Sequence, residues 1–197
     1  MAEAADRSRS GGLRAVLLGA PGSGKGTQAE FLAASLGVPA ISTGAMLRDA
    51  VAHGSALGSK VEGIMACGGL VDDALMAEVV RERLGRPDAA GGFLLDGYPR
   101  TTGQAAMLDS ILAERQEQLD AVLLLEVPEA VLVERAVARK RADDGEEVVR
   151  ERLRVYREKT EPLVEHYERR NLLRRVDGNR TMREVTAASL KMLGRQA

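Results

Sequence analysis

The sequence predicts an α/β fold in which five parallel strands form a doubly wound sheet with helices on both faces. Three observations carry this expectation. The glycine-rich run Gly19-Ala20-Pro21-Gly22-Ser23-Gly24-Lys25-Gly26-Thr27 follows the apolar stretch 15–18 and precedes a helical pattern, a strand-loop-helix signature. Residues 121–127 are nearly all apolar, as a central parallel strand covered on both faces has to be. Five short apolar runs alternate with helical patterns along the chain, the rhythm of a wound parallel sheet.

Composition narrows the functional classes. A chain of 197 residues, 45% hydrophobic, can bury one sizeable core with room for small appended lobes, so one main domain is expected over residues 13–197. A net charge of −1 argues against general nucleic-acid binding, and no Trp, two Phe and three Tyr leave few rings for stacking on single-stranded bases. Cys67 is the only cysteine, which excludes an internal disulfide and a multi-cysteine zinc knuckle, so no structural zinc is expected. Residues 1–12 are polar and lack a secretory apolar segment, reading as a flexible tail. No stretch reaches the roughly 18 apolar residues of a spanning helix, and the expectation is a cytoplasmic monomer without membrane partners.

Taken in order, the glycine-rich loop reads as a phosphate cradle, or P-loop. Gly22, Ser23, Gly24, Gly26 and Thr27 turn backbone N–H groups toward bound oxygens, the following helix adds its positive end, and Lys25 brings an ammonium to the outer phosphates. The residue after Lys25 is Gly26, so the hydroxyl that usually touches Mg²⁺ is displaced to Thr27 and metal contacts are expected elsewhere. A helix from near Gln28 ends at Gly37, a short strand covers 38–41, and Ser42-Thr43-Gly44 opens another helix, for which Thr43 is also a good N-cap. Between His53 and Leu84, glycines 54, 58, 63, 68 and 69 are expected to break the chain into small amphipathic helices.

The apolar run 93–95 delivers Asp96-Gly97-Tyr98-Pro99-Arg100-Thr101 at a strand's carboxyl end, where ligands of open parallel sheets sit. Asp96 is the candidate organiser of Mg²⁺ and its waters, Gly97 permits close approach, Arg100 carries a phosphate-matching fork, and Gln104 has both donor and acceptor for a base edge. Pro128 suits the first turn of a helix whose Arg135 and Arg139 share one face, either aimed at an anion or solvated beside Glu134. Asp144 with Glu147 makes a capping box for the helix bearing Arg150 and Arg152. Residues 172–176 give the last strand, then Asp177-Gly178-Asn179-Arg180 and a terminal helix from about Thr181.

The string GAPGSGKGTQ, residues 19–28, closely resembles the adenylate kinases, a nucleoside monophosphate kinase family, and the resemblance spans roughly residues 13–193. DGYPRT at 96–101 and ISTGAMLR at 41–48 are similar to the same family. The resemblance implies a monophosphate-binding lobe at about 42–71, where Thr43 meets the base and Arg48 the phosphate, with Val71 and Met76 walling the base, although both suit a plain core equally. It implies a short lid at about 139–150, because only Lys140 separates Arg139 from Arg141 where longer forms insert a lobe, sometimes with zinc. It places the donor adenine against the loop of Gly178 and Arg180. Lys25, Arg135 and Arg139 then serve ATP, Arg48 and Arg100 serve AMP, and Arg141 and Arg152 lie between.

The activity implied is transfer from MgATP to AMP giving two ADP, which needs charge neutralisation and alignment and no catalytic histidine. UMP/CMP kinases share this arginine layout, but Thr101, where those enzymes typically carry Asn, together with Thr43 and Gln104 favours adenine. The third possibility, a non-catalytic nucleotide-binding protein, fits less well with so many charges between the two sites. Ala45 stands where the family commonly has an acidic residue, which removes a source of outer-sphere support for Mg²⁺.

Overall fold

The computed structural model describes residues 12–139 and 145–195. Its sheet contains five parallel strands in the order β2-β3-β1-β4-β5, where β1 is Arg14–Leu18, β2 Ala40–Ser42, β3 Phe93–Asp96, β4 Ala121–Glu126 and β5 Leu173–Asp177. The order reverses around β1, so the crevice at its carboxyl end is the ligand position that this topology favours.

Alternation along each strand divides the core into two layers, because successive side chains leave a strand on opposite faces. Val16, Leu18, Phe93, Leu95, Val122 and Leu124 face one layer, packed on helices α2 (Thr43–Ala52), α3 (Ala56–Ala66), α4 (Asp73–Leu84), α5 (Thr102–Glu114) and α8 (Pro162–Arg169). Ala15, Leu17, Leu94, Leu123 and Leu125 face the other, closed by α1 (Lys25–Leu36) and α9 (Met182–Met192). A third, smaller cluster, Ala20, Leu132, Ala136, Val149 and Leu153, joins α6 (Glu129–Ala138) to α7 (Glu146–Val155). Leu132, Val149 and Leu153 supply roughly 5–9 kcal/mol of burial at about 1.5–3 kcal/mol each, against several times more in the main layers. The α6–α7 unit is therefore held by less buried apolar surface than the two layers on the sheet.

Several boundaries differ from those expected. Helix α1 starts at Lys25, three residues before Gln28, because the Gln28 N–H already donates to the Gly24 carbonyl at 2.9 Å and closes the first turn. Strand β2 covers Ala40–Ser42, not 38–41, since pairing starts from the Pro39 carbonyl, which accepts the Leu94 N–H at 2.9 Å. Gly58 and Gly63 lie inside α3 and do not break it; a Cβ at Gly58 would stand 2.1 Å from the Ala50 carbonyl oxygen, so this residue lets α3 cross tightly over α2. Ser42, not Thr43, caps α2, accepting from the Ala45 N–H. Pro128 is the cap residue ahead of α6. Gly145 is the cap of α7; the capping pair offered by Asp144 lies outside the described residues.

Between α7 and α8 the chain makes a single π-helical turn, Tyr156–Thr160, the kind of widened turn that concentrates at functional sites. The turn from α3 to α4 meets α7 directly. A Cβ at Gly68, whose φ is +75°, would stand 2.9 Å from the Arg152 side-chain stem and 3.2 Å from the Val148 carbonyl oxygen. Among the described residues no helix is long and apolar enough to cross a membrane.

Candidate active site

The carboxyl ends of β1, β2 and β3 open onto a cleft of about 580 Å³, lined by the glycine-rich loop, Thr27, Ser42, Ala45, Arg48, Asp96, Gly97, Arg100, Arg135, Arg139, Arg152 and Thr160. A smaller pocket of about 50 Å³ adjoins it, walled by Thr43, Leu47, Met65, Gly69, Val71, Met76 and Gln104. Arg48, Gly97, Arg100 and Arg152 line both spaces. Of the binding and catalytic residues singled out in the sequence, these two spaces gather all but Ser23, Thr101, Gly178, Arg180 and Arg141. Ser23 is buried within the glycine-rich loop itself. Arg180 is exposed and ion-paired with Asp177 at 2.9 Å, while Gly178 contributes its carbonyl to Arg135 at 3.0 Å. Arg141 lies outside the described residues, as does the rest of 140–144 within the expected short lid, whereas Arg139 and residues 145–150 are described.

The glycine-rich loop is fitted to α6 as well as to α1. A Cβ at Gly22, where φ is +87°, would stand 2.2 Å from the Leu132 carbonyl oxygen, so backbone meets backbone with no space for a side chain. The Lys25 ammonium lies inside the loop, donating to the Ala20 carbonyl at 2.8 Å and the Ser23 hydroxyl at 3.3 Å. Removal from water lowers its pKa to about 8; Asp96 opposes that shift, and the guanidiniums of Arg100, Arg152 and Arg139 add to it. An anion among these cations reverses the balance and restores the charged lysine.

A consequence for pH follows from the direction of this shift. Above about pH 8 the unliganded Lys25 loses its proton and its attraction for phosphate. The affinity of the free protein for a phosphorylated ligand is therefore expected to fall about tenfold between pH 7 and pH 9. Binding titrations against pH check this, and a flat profile contradicts it.

Asp96 stands at the end of β3, where its Oδ2 accepts from the Ser42 hydroxyl at 3.1 Å and its backbone carbonyl accepts from Thr43 Oγ1 at 3.3 Å. Its carboxylate faces the start of α1, 3.7 Å from where a Cβ on Gly26 would lie. A hard oxygen donor so placed, beside a hydroxyl and opposite the phosphate loop, fits the water shell of a small dication. Among the described residues no group of three or more His, Cys, Asp or Glu side chains is gathered to hold a metal directly.

Arg100 is clasped on three sides. Its N–H donates to Gln104 Oε1 at 2.7 Å, its carbonyl accepts from Thr160 Oγ1 at 2.8 Å, and its own Nε donates to the Gly97 carbonyl at 2.8 Å. Arg48 comes to the same point: a Cβ at Gly44 would lie 3.3 Å from Arg48 Nη1 and 3.9 Å from Arg100 Nη2. Two guanidiniums converging on one glycine repel unless an anion lies between them, and their planar forks match a phosphate. Thr160 and Asp73 were not predicted as site residues. Thr160 owes its place to the π-helical turn, which has no sequence signature, and Asp73 reaches Thr101 and Gln104 from another helix.

A cradle with a lysine at a strand end, a carboxylate beside it and arginines on two adjoining spaces is a site for two phosphorylated ligands. The family model described as adenylate kinase matches residues 17–172 of this chain. The chain belongs to the adenylate kinase family. It is similar to the adenylate kinase of Nocardia farcinica, 49% identical over 183 residues that cover 93% of this chain and 100% of that protein. Another relative, the adenylate kinase of Sinorhizobium medicae, is 47% identical over 92% of this chain and 100% of its own. That of Synechococcus is 51% identical over 87% of this chain and 93% of its own. The adenylate kinase match takes in the phosphate loop, Asp96 and every arginine that lines the cleft, and stops short of Gly178 and Arg180.

Proposed function

We propose that this adenylate kinase family member transfers the terminal phosphoryl group of MgATP to AMP, reversibly giving two ADP. The observation that carries the reading is the pair of adjoining spaces that share Arg48, Arg100 and Arg152, one floored by the phosphate loop and one walled by apolar side chains and an amide. The donor phosphates lie along the loop and Lys25, with Arg135 and Arg139 at the outer end, and the AMP phosphate lies between Arg48 and Arg100. Val71 and Met76 pack on the acceptor base, and Gln104 and Thr43 read its edge. The resemblance alone assigns Arg141 to the acceptor side. Gly178 and Arg180 border the donor adenine.

In the reaction an oxygen of the AMP phosphate attacks the γ-phosphorus as the bond to the β–γ bridging oxygen breaks, its electron pair leaving on ADP. The acceptor is already anionic, so no side chain has to remove a proton. Lys25 follows the moving phosphoryl group, while Arg152 and Arg100 neutralise charge that spreads over its oxygens. Bound with ATP, Mg²⁺ would supply further neutralisation of the phosphates, and Asp96 would hold its waters.

Asp96→Ala is accordingly expected to raise the Mg²⁺ concentration needed for half-maximal rate, read from rates across a Mg²⁺ titration; an unmoved midpoint removes Asp96 from that role. The whole reading is tested by initial rates with the four common monophosphates and MgATP. AMP is expected to exceed CMP and UMP by about a hundredfold or more in kcat/KM, UMP because its edge presents the wrong donors and acceptors and CMP because its single ring leaves the pocket part-filled. Equal or greater efficiency with CMP or UMP overturns the acceptor assignment. A reducing cytoplasm and a monomeric state complete the proposal, with Cys67 free and exposed.

A further inference from the structure

We propose that Asp73 is a specificity-determining positioning residue: it locks the Gln104 amide in one orientation and so makes the acceptor pocket reject 6-oxopurine monophosphates. The inference rests on the reading of Gln104 as the group that meets the acceptor base, and goes beyond it by naming what fixes that group and which bases it excludes.

Gln104 is 2% exposed and lines the small pocket. Its Oε1 accepts from the Arg100 backbone N–H at 2.7 Å, and its Nε2 donates to Asp73 Oδ1 at 2.9 Å. A backbone N–H can only donate and an ionised carboxylate can only accept, so chemistry decides the orientation of an amide whose oxygen and nitrogen are otherwise interchangeable in shape. Turning it over would bring two donors together at Arg100 and two acceptors together at Asp73. Asp73 is itself held, since its Oδ2 accepts from Thr101 Oγ1 at 2.8 Å. Its position at the first residue of α4 does not call for this arrangement. Asp72 already caps that helix, accepting from the Ala74 and Leu75 N–H groups at 3.0 Å, and leaves the Asp73 carboxylate to span to α5.

After these bonds the amide keeps one lone pair on Oε1 and one hydrogen on Nε2. An acceptor beside a donor, in that fixed order, matches the adenine edge, whose N6 amino group donates and whose N1 accepts. Hypoxanthine and guanine present the reverse, an O6 acceptor beside an N1–H donor. They pair only with a flipped amide, which Asp73 and the Arg100 N–H together forbid. Cytosine carries the same order as adenine, so this device does not exclude it, and rejection of CMP is left to pocket size.

The test compares AMP with IMP, which differ at the purine 6-position and N1 alone, using kcat/KM with MgATP at fixed concentration. For the unaltered protein AMP exceeds IMP by at least about a hundredfold. Asp73→Ala and Asp73→Ser, which withdraw the acceptor from Gln104, each narrow the AMP-to-IMP ratio at least about tenfold. Asp73→Asn retains a carbonyl for Gln104 and an amide for Thr101 and keeps the ratio within about threefold of the starting value. Because the ratio is taken within one protein, a loss of folded material cancels, and the Ser variant serves if the Ala variant does not fold. If Gln104→Leu narrows the ratio while Asp73→Ala and Asp73→Ser leave it intact, the lock is wrong and the base-reading role of Gln104 stands. If Gln104→Leu leaves the ratio unchanged, Gln104 does not read the base, and both the reading and the lock are overturned.

Discussion

Lys25→Met is expected to lower kcat by about a hundredfold or more while the protein stays folded. Among the described residues the lysine ammonium hydrogen-bonds to the Ala20 carbonyl and the Ser23 hydroxyl of its own loop, and it is a desolvated cation between Asp96 and three arginines, so an apolar replacement of similar length removes attraction and repulsion together and leaves the core layers untouched. On the proposed reading, what is lost is a charge that accompanies the phosphoryl group from donor to acceptor, an interaction strongest at the transition state and therefore felt in kcat more than in KM. A coupled assay of ADP formation, with thermal melting followed in parallel, checks both halves. A rate near that of the unaltered protein contradicts the assignment of the loop.

Gly22→Ala is expected to combine a large loss of kcat/KM for ATP with a drop in stability. Left-handed backbone costs a non-glycine residue about 1–2 kcal/mol, and forcing a methyl group against packed neighbours about 1–3 kcal/mol more. Contact with the Leu132 carbonyl cannot be relieved by a change of rotamer, because the obstacle is backbone. At roughly 2–4 °C per kcal/mol for a chain of this size, the melting temperature falls by about 5–15 °C, and the loop must leave either α6 or its phosphate-binding shape. The kcat/KM for ATP then drops at least about tenfold, whereas the KM for AMP, bound by other elements, changes little. An unchanged melting temperature contradicts the close packing of loop on helix.

The sheet was legible in the sequence because its signals are local. Apolar runs at 15–18, 93–95 and 121–127 allow little but buried parallel strands, and each turned out to form one. The phosphate loop was legible for a similar reason, since glycine spacing and a lysine at a strand end have few other uses. Glycines misled where they serve packing and not turns: Gly58 reads as a helix breaker but lies within α3, its missing side chain required by a neighbouring helix invisible in the local pattern. The same limit applied within the site. Gln104 was a candidate from its chemistry and position, but its bonds to Arg100 and Asp73 join separate elements, and nothing in the run of residues around Asp73 says that its carboxylate leaves its own helix. Thr160 carried no signal, because it meets Arg100 only through a helical turn of unusual width.

The meeting of Gly68 with α7 has a thermodynamic consequence. With no side chain to compress, the α3–α4 turn and the stem of Arg152 cannot separate without opening a gap, nor approach further without collision. Arg152 lines the spaces assigned to both nucleotides, so a ligand that settles it on one side sets the starting arrangement for the other. The two binding free energies are then not independent. Whatever factor ATP applies to the affinity for AMP, AMP must apply to the affinity for ATP.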